Sequence, residues 1–222
     1  MNFLQLCQRT RSEAGVPGTG PASVENQTGQ LLRIVQWVEE AYEEIQNLQA
    51  TWSFLQKSFN FKTISGQAEY TPTGVAINDL GDWKRNDFRI YNEAADETYL
   101  DYVPWDKFRP HYNYGAFREQ EGRPTVITIK PDDSLFLYPI PDQILTVDGQ
   151  YYRSPHVMSK NDDEPLFLTR FHMSIVWKAL MLYAGDLGAP DAYAHGQTQF
   201  KKIANKMRNK YLPQITFGRP LA

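Results

Sequence analysis

The chain has 222 residues, 41% hydrophobic and 14% aromatic, with 23 Lys and Arg against 26 Asp and Glu. A net charge of −3 argues against bulk attraction to DNA or to an anionic membrane, since both need an excess of cations. A single cysteine, Cys7, excludes an intramolecular disulfide and any cysteine-cluster zinc site, and its place in a helix makes it a small core residue.

The opening MNFLQLCQRTRSEAG carries charges where the apolar run of a signal peptide belongs. The longest apolar stretch, Ile175 to Ala184, is broken by Lys178 and is too short to span a bilayer. A soluble protein synthesised in the cytoplasm is expected, with no membrane partner.

Asn2 to Ala14 is predicted helical, with Phe3, Leu6, Cys7, Thr10 and Ala14 along one face and Gly15 as its stop. Gly15 to Gln27 reads as a loop from its Gly and Pro content. Thr28 is a suitable N-cap for the next segment, which runs to Lys57 and is the most informative in the chain. Leu31, Val35, Val38, Tyr42, Ile45, Leu48, Trp52 and Leu55 recur at steps of three and four. That spacing is one stripe of a single helix, about 45 Å long at about 1.5 Å per residue. Ile34, Trp37 and Ala41 form a flanking stripe, so the helix has more than one neighbour to bury against. Leu31, Val35, Trp37, Val38, Tyr42, Ile45 and Trp52 are therefore candidates for packing within a bundle or against another copy.

From Phe59 to Pro155 the pattern changes to short alternating segments separated by turn residues. Phe59–Ser65, Phe88–Tyr91, Glu97–Val103, Thr125–Ile129, Ser134–Tyr138 and Ile144–Tyr152 are the predicted strands. Pro131, Asp132 and Asp133 make the turn of a hairpin over Val126–Tyr138, and a short helix follows Pro104.

Helix returns after Pro165, with Leu168, Phe171, Ile175, Ala179 and Leu182 on a stripe surrounded by further apolar residues, so this helix is expected to be buried nearly all round. A last helix runs from Pro190 to Leu212, with Phe200, Ile203, Met207 and Tyr211 on one stripe, and Pro213 stops it. The predicted fold is α+β: a helical bundle from residues 1–58 and 156–212, an inserted antiparallel β-sandwich or barrel-like module over 59–155, and an extended C-terminal arm, 213–222.

The arm carries Ile215, Phe217 and Leu221 with no local partner. We read it as a docking segment, with simple fraying as the alternative. No acidic residue follows Asp191, and Lys202, Lys206 and Lys210 lie four apart on one helical face. A solvated face is the ordinary meaning of such a run; contact with an acidic protein surface or DNA is the other.

No pattern for catalysis emerges. The four histidines show neither HxxH nor HExxH spacing, and His172, inside the apolar helix, reads as a satisfied core residue. Asp162, Asp163 and Glu164 read as helix-capping charge, and Glu39, Glu40, Glu43 and Glu44 as a solvated flank. Neither GxxxxGK[ST], GxGxxG nor GxSxG occurs. No metal, no cofactor and no catalytic residue is expected. A second reading makes the aromatic-rich β region a carbohydrate- or protein-binding module, provided Trp83, Trp105 and Tyr112 share one exposed face. A hydrolase would need two carboxylates and a histidine converging in a pocket.

The segment SVENQTGQLLRIVQWVEEAYEEIQNLQATWSFL resembles the N-terminal part of tailed-bacteriophage head-to-tail adaptor (connector) proteins, in which an AYxxIQ…W.FL pattern ends the long helix. YVPWDKFRPHY, GRPTVITIKPDDSLFLYPIPD and GQYYRSPHVMSKNDDEPLFLTRFHMSIVWKAL extend the resemblance over nearly the whole chain in the expected order. It implies a structural virion protein at the head–tail junction. Such proteins form a homo-oligomeric ring, typically of twelve copies, that docks on the portal protein, extends the DNA channel and offers a platform to tail or nozzle proteins. Double-stranded DNA would pass through the lumen without sequence-specific binding. The resemblance also gives the arm a role, with Ile215, Phe217, Arg219 and Leu221 as candidates for portal contact. A neutral or acidic lumen is expected, with the face of Lys202, Lys206 and Lys210 turned to protein.

Overall fold

The computed structural model describes residues 1–18 and 20–213. In chain order these form helices α1 (Phe3–Glu13) and α2 (Gly29–Asn47), strand β1 (Gln56–Lys62), and the short strands β2 (Glu69–Tyr70), β3 (Leu80–Trp83), β4 (Arg89–Tyr91), β5 (Thr98–Tyr99) and β6 (Asp101–Tyr102). Helix α3 (Trp105–Tyr112) follows, then β7 (Glu121–Gly122), β8 (Val126–Ile129), β9 (Leu135–Tyr138), β10 (Ile140–Pro141) and β11 (Thr146–Arg153). Helices α4 (Met173–Asp186) and α5 (Pro190–Tyr211) come last. The fold is α+β, in two compact units: Met1–Leu55 with the chain from Pro155 onward, and Gln56–Ser154.

In the helical unit α4 packs against α1, α2 and α5. From Met173 to Ala184 no residue of α4 is exposed, which is why its apolar residues run all the way round it. Trp37 of α2 meets Tyr183 edge-on with ring centroids 5.3 Å apart, and Trp177 meets His195 of α5 at 5.4 Å. Close approach of α4 and α5 needs Gly196, where an added Cβ would lie 3.1 Å from the Trp177 carbonyl oxygen and 3.0 Å from Met181 Cγ.

The periodicity predicts one helix from Thr28 to Lys57, and the structure corrects this: α2 ends at Asn47. The chain turns over residues 48–52, and the buried Trp52 indole Nε1–H donates back to the Ile45 carbonyl oxygen at 3.0 Å. This satisfies one of the carbonyls that a helix C-terminus leaves without an intrahelical partner. Leu48, placed on the stripe by spacing, is instead exposed. Leu55 is buried as the chain leaves for β1. Thr28 occupies the N-cap position of α2 without making a side-chain capping bond.

The second correction concerns α4, which starts at Met173 rather than at Pro165. Two tyrosine hydroxyls hold the preceding segment away from helix: Leu166 N–H donates to Tyr42 Oη at 3.0 Å and Leu168 N–H to Tyr211 Oη at 2.9 Å. Phe167 is buried between them, its ring 5.9 Å from Tyr42 and 5.4 Å from Phe54. Asp162–Glu164 therefore does not cap α4. Asp163 closes its own turn by accepting from the Ser159 and Lys160 N–H groups at 2.7 and 2.8 Å. Carbonyls of this turn cap α1 instead, with Phe3 N–H donating to Asp163 and Leu4 N–H to Asn161.

His172 is buried and fully bonded. The Met1 ammonium donates to its Nδ1 at 2.9 Å, so Nε2 carries the proton and donates to the Phe167 carbonyl at 2.9 Å. Burial, which disfavours the imidazolium, holds its pKa below the ordinary value.

The β unit has one sheet ordered β1-β11-β4-β5, with β3 also on β11, and a second ordered β2-β9-β8-β6. β8 and β9 form the predicted hairpin. Phe59, Ile90 and Val147 from the first sheet and Tyr70, Ile127, Leu135 and Leu137 from the second belong to one core. Gly149 is required in β11 because an added Cβ would meet the Phe59 and Phe88 rings at 3.0 Å. Two pairings, β6 with β8 and β7 with β10, are parallel rather than antiparallel. Of the described residues' eleven strands, β2, β3, β7 and β10 fall outside the predicted segments.

Two outcomes test this description. Trp52→Phe removes the N–H that satisfies the Ile45 carbonyl and should cost about 1–3 kcal/mol, read from the urea midpoint by far-UV circular dichroism; an unchanged midpoint would remove the indole from this role. For His172 the folded state holds the neutral ring, so the unfolded chain takes up the proton first as pH falls. Its contribution is complete above pH 6.5, the ordinary imidazole value, and is lost as pH falls below it toward the lowered folded value. The thermal midpoint should fall between pH 7.5 and 5.5, and His172→Asn should flatten that slope.

Candidate functional site

The residues singled out on α2 are largely consumed inside the helical unit. Val35, Val38, Tyr42, Ile45 and Trp52 are buried, while Leu31 and Trp37 are half-buried. What α2 turns outward is the stripe Leu32, Gln36, Glu40, Glu43 and Asn47, spaced by three and four and exposed throughout. Glu40 and Glu43 have no ion-pair partner among the described residues. Their neighbours differ. Glu44 is bridged by Lys178 of α4, and burial raises the pKa of the half-buried Glu39.

On α5 the apolar positions turn inward, with Ala204, Met207 and Tyr211 buried and Phe200 and Ile203 half-buried. Lys201, Lys202, Lys206, Arg208 and Lys210 are all exposed. None has a carboxylate partner among the described residues; Arg208 touches only the Asn205 side-chain oxygen, at 3.2 Å. Ile215, Phe217, Arg219 and Leu221 lie outside the described residues.

The groups that could carry chemistry have structural work. Burial, and then the charge of Glu39, push the Cys7 thiol up to about 12, the opposite of a reactive cysteine. Backbone N–H donors hold the Asp163 carboxyl below the usual carboxylate range. Among the described residues, no three His, Cys, Asp or Glu side chains gather as a metal site would require, and no helix is long and apolar enough to cross a membrane. The shared aromatic face proposed for the β unit does not exist. Trp83 is buried, its Nε1–H donating to the Asp133 carbonyl at 2.9 Å. Trp105 and Tyr112 are half-buried and stack on the buried Phe108, at 6.0 and 5.1 Å between centroids.

Sequence reasoning missed Gln46, which is buried and pairs with the backbone of His156 in both directions: Nε2–H to the carbonyl at 2.9 Å and N–H to Oε1 at 2.8 Å. The signal was available, since position 46 follows Tyr42 by one turn and so falls beside the apolar stripe. Lys178, noted in the sequence only as a break in the apolar stretch, is the one charge of α4 before its last residue, and its Nζ bonds Glu44 and lies 6.0 Å over the Phe200 ring.

A chain of this kind, with its polar chemistry turned to packing and its charge displayed on the outer faces of a helical unit, has the character of a structural component. The sequence match is direct: residues 1–219 match the profile of the SU10 adaptor protein family. The chain belongs to that family, and its role is that of a bacteriophage structural adaptor. A search of curated proteins returns no match.

Proposed function

We propose that the chain is the ring-forming adaptor of the head–tail junction, docking on the portal protein, extending the DNA channel and presenting the platform to which tail or nozzle proteins attach. The match to the adaptor family over residues 1–219 carries this reading. The ring has twelve copies, about 307 kDa from twelve chains of 25.6 kDa. The protein is not an enzyme; it acts by holding partners in register. Synthesis takes place in the host cytoplasm and the protein works in the virion.

The arm over residues 213–222 makes the portal contact, through Ile215, Phe217, Arg219 and Leu221. Twelve arms on one ring raise attachment by effective concentration, so each can bind weakly. The net charge of −3 suits a duct through which DNA slides, because counterion-release binding needs Lys and Arg facing the phosphates. Lys202, Lys206 and Lys210 therefore face protein rather than the lumen.

Electron microscopy of the protein mixed with its portal, with and without residues 213–222, tests both parts. Twelve-fold rings seated on the portal are expected for the full chain, with attachment lost on truncation. Unchanged attachment after truncation would remove the arm from this role, and a single copy at the junction would end the ring reading.

A further inference from the structure

The two flanks of the helical unit carry opposite charge, and we propose that they are the two sides of the subunit interface: the α2 stripe of Glu40 and Glu43 on one copy meets the α5 face of Lys202 and Lys206 on the next. This rests on the ring reading above and specifies how the ring is joined.

Placement comes from α4. It packs against both α2 and α5, whereas α2 and α5 share at most marginal contact, so α4 lies between them. The arginine and lysine bridges Arg33–Asp186 and Lys178–Glu44 tie α2 to one side of α4. Gly196 and His195 bring α5 against Trp177, and Phe200 of α5 lies under the Lys178 ammonium that bonds Glu44. The exposed stripe of α2 and the exposed face of α5 each turn away from α4, so neither is covered within this unit.

Charge identifies the occupant of each face as a second copy of this chain. Glu40 and Glu43 are carboxylates without a partner among the described residues, one helical turn apart. Lys202 and Lys206 are ammonium groups without a carboxylate partner among the described residues, also one turn apart, with Lys210 a turn further and Lys201 and Arg208 flanking them. Two helices laid side by side bring such pairs into register, since a turn rises about 5.4 Å in each.

The same charges select the symmetry. A two-fold dimer through α2 would set Glu against Glu, and one through α5 would set Lys against Lys; like charges across an interface are penalised. Only the pairing of one face with the other is complementary. Such a heterologous contact closes into a ring when its rotation divides the circle and otherwise grows a filament. Exposed pairs contribute more to encounter rate and register than to affinity, so assembly should weaken as salt rises. Leu32, on the same α2 stripe and partly exposed, adds apolar contact at the end of the acidic stripe.

A charge-swap experiment on the full chain tests this. E40K/E43K and K202E/K206E are made separately, with E40Q/E43Q and K202Q/K206Q as neutral controls, and circular dichroism melts establish that each is folded. Assembly is read by mass photometry and sedimentation, alone and with the portal, at low and high salt. Each reversed variant should associate roughly 100-fold less tightly than the wild type, from like-charge apposition. An equal mixture of the two should recover assembly, because every junction then places Lys against Glu. The neutral variants should assemble weakly and lose most of the salt dependence.

Rings formed equally well by all variants would overturn this interface and leave the ring reading intact. Folded reversed variants that stay apart when mixed would overturn the pairing of these two faces. A wild-type chain that never associates, with or without the portal, would overturn the ring reading and this inference with it.

Discussion

The constraint on which the helical unit depends is the burial of α4. With no exposed residue from Met173 to Ala184, this helix has no solvent side and is stable only inside a shell of other helices. α1, α2 and α5 supply that shell, and each must therefore turn its own apolar stripe to α4 and its polar side outward. The display of charge on α2 and α5 follows from that geometry. Lys178 marks the one place where the rule is relaxed: its long apolar stem stays in the packing while its ammonium reaches Glu44.

Hydrogen bonding decides where the helices stop. A helix end needs partners for its open carbonyl groups, and Trp52 provides one from beyond the end of α2. The tyrosines act similarly on a segment that never becomes helix. Tyr42 and Tyr211 accept from the N–H groups of Leu166 and Leu168, which keeps these residues out of the α-helix and seats Phe167 in the core. In the same way the Asn161–Asp163 turn uses its carbonyls for the first N–H groups of α1. These bonds join positions far apart in sequence. They fix element boundaries that local propensity would place elsewhere.

That accounts for what was legible in the sequence. The apolar periods of α2, α4 and α5 were visible because burial imposes them on every turn, and the burial of α4 was visible from its lack of a polar side. The ends were not, because a stripe at helical spacing continues past Asn47 through Leu48, Trp52 and Leu55 although the backbone has already turned. Periodicity records which side chains are apolar, not whether they lie on one rod. In the β unit the segments with four or more alternating residues were legible. β2, β7 and β10, of two residues each, lie in no longer alternating run, and β3, Leu80–Trp83, does not alternate in burial. The parallel pairings of β6 with β8 and β7 with β10 also escaped, because strand direction is set by the connections rather than by the pattern within a strand.

The candidate site shows the same division. The apolar stripe of α2 stood out in the sequence, and most of its members are spent on packing within the helical unit. What remains on the surface is polar, Glu40 and Glu43 on α2 and the lysines of α5, which in sequence look like any solvated flank. Their distinction is spatial. Only with both helices packed on α4 do an acidic run near residue 40 and a basic run near residue 205 become two uncovered faces of one unit. Apolar patterning thus determines the bundle, and the bundle determines which charges are consumed in packing and which are left at the surface.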